Sequence, residues 1–425
     1  MQQRVWIRGL GVYLPEASLT NEAIEAGMPW LRTSAQWISE HTGIYKRHVA
    51  RPDQHAADLG YLAAVEALEL SQSEPESIDL IMLATNTSQY VYPAGAGRIQ
   101  NAFGTGAGGQ LRMGRAGALD LQQGCSSFIG AIGLASGLIR GQLFRNVLVV
   151  GADVATRMVD WTNRDSILLG DAAAACVVSA GEPPQGLDPA PIEVLGHFMR
   201  TDPTAADAVF QRGVLNVANN PFDHLKRELD PEGGSFRRQL YGDDFLDSME
   251  DDTHRFFEMD GRQVYRFVKG IVPRQGYLEV LQRSGLLDDL PDCWQSVESV
   301  DDIRNRHERA ELCNYLASKV DMFVPHSANL SLNQDLAEEM SIPQERMYVT
   351  LQKYGNTSAA SVGLSLYEAL RHEASYTTLT KRDGSGQVKV AGRQVTVPKL
   401  DAGQTALLLS FGAGNSWNYV MTRRV

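Results

Sequence analysis

The chain says much the same thing twice, and this repetition limits its fold more than any other feature. Val5 to Pro15 reads as a strand running into a turn, and Ile192 to Met199 is a similar apolar strand later on. Ile78 to Thr85 is a buried strand that ends in a polar loop, and Val320 to His326 has the same form. Asn146 to Ala152 is matched by Thr405 to Gly412. Each set closes on a last apolar strand, first Ala173 to Ala180 and then Ser416 to Thr422. Segments rich in Ala, Leu and Glu with helical character, Ala56 to Leu70 and Ser358 to Arg371, sit before these strands. Strands and helices alternating at these lengths imply an α/β fold with buried sheets. A continuous apolar run such as Val147 to Val150 is expected to be covered on both faces.

The repeat divides the chain into an N-terminal half, 1–185, and a C-terminal half, 186–425, joined by the proline-rich stretch Gly181 to Pro191. Two segments of the second half break the pattern, at about 202–257 and 287–319. Both read as insertions, which belong in surface loops where they shape an entrance or an interface.

Charge and composition remove several functional classes. The net charge of −12 argues against a nucleic-acid partner, which needs clustered Lys and Arg, and against an anionic membrane surface. No apolar run is long enough to span a bilayer, and the N-terminus does not read as a signal peptide. The four cysteines, Cys125, Cys176, Cys293 and Cys313, form no CxxC pair, so neither a zinc site nor a disulfide framework is expected. A cytoplasmic chain without metal or cofactor is the simplest reading. The glycines between Phe103 and Gly109 satisfy GxGxxG spacing but follow no clear strand, so they are not read as a dinucleotide site.

The chemistry centres on Ala118 to Arg140. An apolar strand ends at Gly124, and Cys125 opens a run of small and apolar residues with helical spacing. A helix apolar on nearly all faces is buried. A cysteine at its start feels the positive end of the dipole, which predicts a lowered thiol pKa. That segment alone leaves a core cysteine equally open. Two distant segments tip the balance. His326 follows the second buried strand, and Asn356 lies at a glycine-flanked turn before a helix. A thiol, an imidazole and a carboxamide together can form an acyl-enzyme and stabilise a developing oxyanion.

Six segments in order carry a resemblance to a known family. They are Trp37 to Ile44, the Cys125 segment, Gly170-Asp-Ala-Ala-Ala-Ala, Phe323 to Asn329, Tyr354-Gly-Asn-Thr-Ser-Ala-Ala-Ser and Phe411-Gly-Ala-Gly-Asn-Ser-Trp417. With them the chain resembles the β-ketoacyl-acyl carrier protein synthase III family of the thiolase superfamily, over nearly its whole length except the two insertions. The resemblance implies a thiolase-like, five-layered α-β-α-β-α fold of two duplicated halves in a homodimer. It implies an acyltransferase in which Cys125 carries the acyl group. His326 and Asn356 would hold the second substrate's thioester carbonyl as charge builds there. The backbone N–H groups of Cys125 and Ala413 would form a second oxyanion hole. Acyl carrier protein and acyl-coenzyme A are the implied partners, with Trp37 and Arg164 at the substrate entrance.

The entrance departs from the family. His41 and Ser331 stand where Arg is usual, and loss of two permanent charges weakens phosphate binding. This favours a specialised lipid or polyketide role, with ring closure of the resorcinol or cyclohexanedione type among the outcomes the resemblance allows. Transfer to a hydroxyl or amine is the alternative reaction, and a non-catalytic partner subunit the alternative role. Retention of Cys125, His326 and Asn356 argues against both. A degradative thiolase would need a second cysteine between Phe411 and Trp417, where none occurs.

Overall fold

A computed structural model describes residues 3–106, 109–183, 185–211, 256–382 and 388–425. Nine strands form one hydrogen-bonded sheet. In chain order they are β1 (Val5–Tyr13), β2 (Leu80–Ala84), β3 (Gly117–Leu121), β4 (Asn146–Val154), β5 (Asp171–Ala180), β6 (Ile192–Thr201), β7 (Met322–Pro325), β8 (Thr405–Gly412) and β9 (Ser416–Arg424). Their spatial order is β7-β8-β9-β6-β1-β5-β4-β2-β3. Read outward from the centre, β1-β5-β4-β2-β3 on one side mirrors β6-β9-β8-β7 on the other. The two sets meet through one short antiparallel contact, Trp6 with Glu193 and Ile7 with Ile192. In the second set the place of β3 shrinks to a single parallel bridge between Phe323 and Met347.

Helices complete five layers. Ala56–Ser71 covers β1, β5 and β4 from outside with a face of Ala56, Ala63, Ala64 and Ala67, whose short side chains allow a close approach. Ser127–Arg140 and Ser361–Ala369 form the middle layer and touch strands of both sets. Both are buried round most of their circumference, as their apolar sequences require. Tyr277–Arg283, Arg306–Ala317 and Leu330–Glu339 lie on the second set's side. This is the α/β thiolase-like architecture that the resemblance implies.

The two segments read as insertions have different outcomes. Most of the segment at 202–257 lies outside the described residues; its two ends meet as a short antiparallel pair, Val209–Phe210 with Glu258–Met259. The segment at 287–319 is not a surface loop. Trp294, Val300, Ile303, Leu312, Cys313 and Leu316 are buried in the main core, because this acidic stretch carries an apolar residue every three or four positions. A further β extension was not foreseen. Ala374–Thr377 pairs with Gln394–Val397, and Lys381 at its base reaches Asp335 on Leu330–Glu339 at 2.5 Å. Among the described residues no helix is long and apolar enough to cross a membrane.

Candidate active site

β3 delivers the chain to a tight turn. The Ser126 N–H donates to the Gln123 carbonyl and the Ser127 N–H to the Gly124 carbonyl, and a helix starts at Ser127. Cys125 therefore lies just before the first helical turn. Its backbone is pressed against the loop that follows β8. A Cβ on Gly412 would stand 2.5 Å from the Cys125 nitrogen, so only glycine fits there. Ala413, the next residue, then lies beside Gly124 and Cys125.

His326 follows β7. Its N–H donates to the Leu409 carbonyl at 2.7 Å, and its ring stands edge-on to Phe411. The ring is buried, and Nδ1 lies 2.6 Å from the Ser361 hydroxyl. Burial pushes its pKa down to about 3, so the imidazole is neutral at neutral pH. With Ser361 donating to Nδ1, the ring proton sits on Nε2.

Asn356 is clamped at both ends of its peptide. Its N–H donates to the Leu168 carbonyl, and its carbonyl accepts from the Gly170 N–H. Gly355 makes the approach possible, since its φ of 69° with ψ of −161° is open only to glycine. The side-chain Oδ1 accepts from the Ser358 N–H at 2.9 Å, which leaves the amide N–H groups for the cavity.

Cys125, His326 and Asn356 line one cavity of about 380 Å³, together with Gly412, Ala413 and Gly414. Its polar end also includes Asn86 and Ser358. Its other walls are mostly apolar, with Gln122, Gln211 and Asn415 among them. The apolar ones include Met158, Val209, Phe210, Phe257 and Met259, and Val264, Phe267 and Val268 on helix Gly261–Gly270.

The thiol corrects one expectation. The sequence predicts a lowered pKa from the helix start, whereas burial pushes the Cys125 thiol up to about 11. The Ser358 hydrogen bond opposes this rise and the Asp153 charge adds to it. The residue keeps some exposure toward the cavity, but protein surrounds its sulfur, and desolvation of a thiolate outweighs the partial charge of a helix end.

Trp37 and Arg164 are brought together but do not line this cavity. The Arg164 guanidinium lies 4.4 Å from the Trp37 ring, and His41 stacks on the same ring at 4.3 Å. Arg164 opens the turn Arg164–Leu168, whose last residue holds the Asn356 N–H. Ser331 sits in the first turn of Leu330–Glu339 and donates its N–H to the cap residue Asn329. Cys176 and Cys313 are buried and Cys293 is exposed; none lines the cavity.

Sequence reading missed a polar layer beneath the site. Asp153, fully buried, accepts from the Thr85 and Thr87 hydroxyls and from the N–H groups of Asn86 and Ala359. The Asn86 side-chain nitrogen lies 3.0 Å from Asp153, 3.1 Å from the Gly124 carbonyl and 3.3 Å from the Ser358 hydroxyl, and its two N–H groups serve these three acceptors. Ser358 in turn donates to the Cys125 sulfur at 3.5 Å. The one available signal was the serine two places after Asn356 in Gly-Asn-Thr-Ser.

Comparison with known proteins gives the chain a family. Residues 119–192 match the model of 3-oxoacyl-[acyl-carrier-protein] synthase III, and residues 311–377 match that of its C-terminal region. A β-ketoacyl-[acyl-carrier-protein] synthase III of Brucella melitensis is 30% identical over 98% of each chain. One of Hyphomonas neptunium is 31% identical over 87% of this chain and 91% of its own. The crystal structure of the synthase III of Aquifex aeolicus superposes with a TM-score of 0.68, at 27% identity, over 99% of both chains.

Proposed function

The chain belongs to the β-ketoacyl-[acyl-carrier-protein] synthase III family, a family of condensing acyltransferases, and from that premise we propose how this ketosynthase works and on what. Cys125 takes an acyl group from an acyl-carrier protein or acyl-coenzyme A. The thiol rests protonated, so loading moves its proton to the donor's sulfur as the new thioester forms. The second substrate is a malonyl or β-ketoacyl thioester on a carrier protein. A malonyl thioester loses CO₂, and the resulting enolate oxygen accepts hydrogen bonds from His326 Nε2–H and the Asn356 amide. The neutral state of His326 suits this role, because the ring donates a hydrogen bond and keeps its proton. The enolate carbon then attacks the acyl-Cys125 carbonyl. The backbone N–H groups of Cys125 and Ala413 receive the new oxyanion, which collapses and releases the Cys125 sulfur. Two separate oxyanions need two sets of donors, and removal of one donor typically costs ~2.7–4 kcal/mol.

The observation that carries this reading is the meeting of Cys125, His326 and Asn356 in one cavity, although they come from three distant segments. Trp37 and Arg164, packed against each other, are assigned to the entrance on the family resemblance. His41 and Ser331 place no permanent charge there, which favours a carrier protein over coenzyme A as donor and a specialised lipid or polyketide product, with or without ring closure. β3 ends the sheet and is half exposed along its length, which suits pairing with a second copy in a homodimer. Four free cysteines fit a cytoplasmic setting.

Intact-protein mass spectrometry tests this directly. The protein is incubated with acyl-coenzyme A and with acyl-carrier protein side by side. An acyl mass gain that disappears in Cys125→Ala is expected, larger with the carrier protein. Failure of every donor to add mass at Cys125 rejects the reading. Adding malonyl- or β-ketoacyl-carrier protein then separates the products. Product from two preformed chains alone rejects the malonyl version.

A further inference from the structure

Ser358 hydrogen-bonds to two members of the candidate triad. Its N–H donates to Asn356 Oδ1 at 2.9 Å, and its hydroxyl lies 3.5 Å from Cys125 Sγ. It does this from an unusual backbone. Its φ is 51°, in the left-handed region that favours glycine, yet the position holds a serine. It is buried, so its hydroxyl has few partners to choose from. One of these is the Asn86 amide, whose nitrogen lies 3.3 Å from Ser358 Oγ and nearer to Asp153 and the Gly124 carbonyl. The hydroxyl's own proton is directed at the Cys125 sulfur, the acceptor in reach.

The turn is held from below. Asp153 accepts from the Asn86 amide at 3.0 Å and from the Ala359 N–H at 3.2 Å. Asn86 also ties to the Gly124 carbonyl, one residue before the nucleophile. The contacts Asp153–Asn86–Ser358–Cys125 thus run without a break from the buried carboxylate to the sulfur. Around the sulfur, Asp153 is the charged group that acts on it, and it disfavours the thiolate; His326, the titratable group across the cavity, is neutral. Neither supplies a positive partner.

We infer that the Ser358 hydroxyl is the hydrogen-bond donor that stabilises the Cys125 thiolate during acyl loading, while its backbone N–H orients Asn356 for the second half-reaction. The inference rests on Cys125 being the acyl acceptor. In the loading step the Cys125 S–H bond breaks, the sulfur bonds to the donor's carbonyl carbon, and the donor's C–S bond breaks. The proton finishes on the donor's thiol. Ser358 keeps its own proton throughout and only lends the hydrogen bond.

The two contacts predict a split that a structural role does not produce. Ser358→Gly removes the hydroxyl but retains the N–H, in a backbone conformation that glycine accepts without strain. Ser358→Ala removes the same hydroxyl and keeps a Cβ. Iodoacetamide alkylation of the Cys125 peptide is followed against pH in the full-length protein, wild type and both variants. The midpoint is expected to rise by about one pH unit, so that alkylation near neutral pH slows about tenfold. Acyl loading slows in parallel, while decarboxylation of a malonyl thioester is unchanged because Asn356 keeps its backbone donor. An unchanged alkylation midpoint in Ser358→Gly overturns the inference. So does an equal fall in loading and decarboxylation, which assigns Ser358 to turn shape alone. Wild-type protein that alkylates at Cys125 but never gains an acyl group rejects the functional reading instead and leaves the alkylation comparison standing. If Ser358→Ala does not fold, Ser358→Gly carries the test.

Discussion

Replacement of His326 by Asn is expected to make the protein less sensitive to acid, even as it disables the second half-reaction. His326 is buried, and its pKa falls from an unfolded value near 6.5 to about 3. Between those values the unfolded chain binds a proton that the folded chain refuses, so stability is full above pH ~6.5 and drains away as pH falls. From about pH 7.5 to about pH 5, one such group removes roughly 1.36 × 1.5, or about 2 kcal/mol. His197, pushed down to about 4 by burial, acts in the same direction and removes about 2 kcal/mol more. The wild type is therefore expected to lose about 4 kcal/mol from these two histidines, and His326→Asn about half of that. Urea unfolding at the two pH values measures both losses. An equal loss in wild type and variant refutes the reasoning, because it means that His326 is already protonated, or open to water, in the folded protein. The same test bears on mechanism. A ring that titrates near 6.5 in the native state would be charged for part of the working range, and Ser361 would then have to accept from Nδ1.

Three further substitutions probe how the site is held. Gly412→Ala drives a methyl to within 2.5 Å of the Cys125 nitrogen, and should cost ~1–3 kcal/mol and displace the nucleophile, read as a lower melting temperature with slower acyl loading. Arg47 is fully buried and donates to Asn21 Oδ1 at 2.8 Å and to the Ile167 carbonyl at 2.5 Å, next to the residue that holds Asn356. Arg47→Met leaves both acceptors unpaired, at ~1–3 kcal/mol each, and should slow decarboxylation more than loading in separate half-reaction assays. Asp335, on helix Leu330–Glu339, binds Lys381 of the β extension and the Tyr265 hydroxyl at 2.6 Å on the helix that walls the cavity. Asp335→Asn should lower urea stability by ~1–3 kcal/mol and raise the KM for long-chain donors more than it lowers kcat.

The fold was legible because its repeat is written in apolar strands. A strand buried on both faces must be apolar throughout, so Val147 to Val150 and Leu407 to Leu409 announce themselves. β3 was harder to delimit, since it lies at the edge, where Leu119 and Asp120 need not be buried. The segment at 287–319 misled because charge dominates its composition, although the few apolar residues fall at the spacing that buries a helix such as Arg306–Ala317. The β extension at Ala374–Val397 left a fainter mark. Its strands are four residues or fewer, alternate between exposed and buried, and gain their place from Tyr376, Val395 and Val397 entering the core of the second set.

The site divides along a different line. Cys125, His326 and Asn356 could be picked out because each sits where a strand or a glycine turn ends, and such positions aim a side chain at a common cleft. The residues that set their behaviour carry no such mark. Asp153 lies inside β4 and looks like part of an apolar strand; Asn86 looks like one polar residue of a loop. Their meaning comes from contacts that span much of the chain, with Asn86 and Ser358 separated by 272 positions and Ser358 and Cys125 by 233. The thiol shows the consequence. A reading confined to the helix start has one local term and obtains a lowered pKa. Burial and the Asp153 charge enter only when the chain is folded, and they reverse the sign. Ser358 is then the local group that works against both, from a backbone φ of 51° where glycine would be easier.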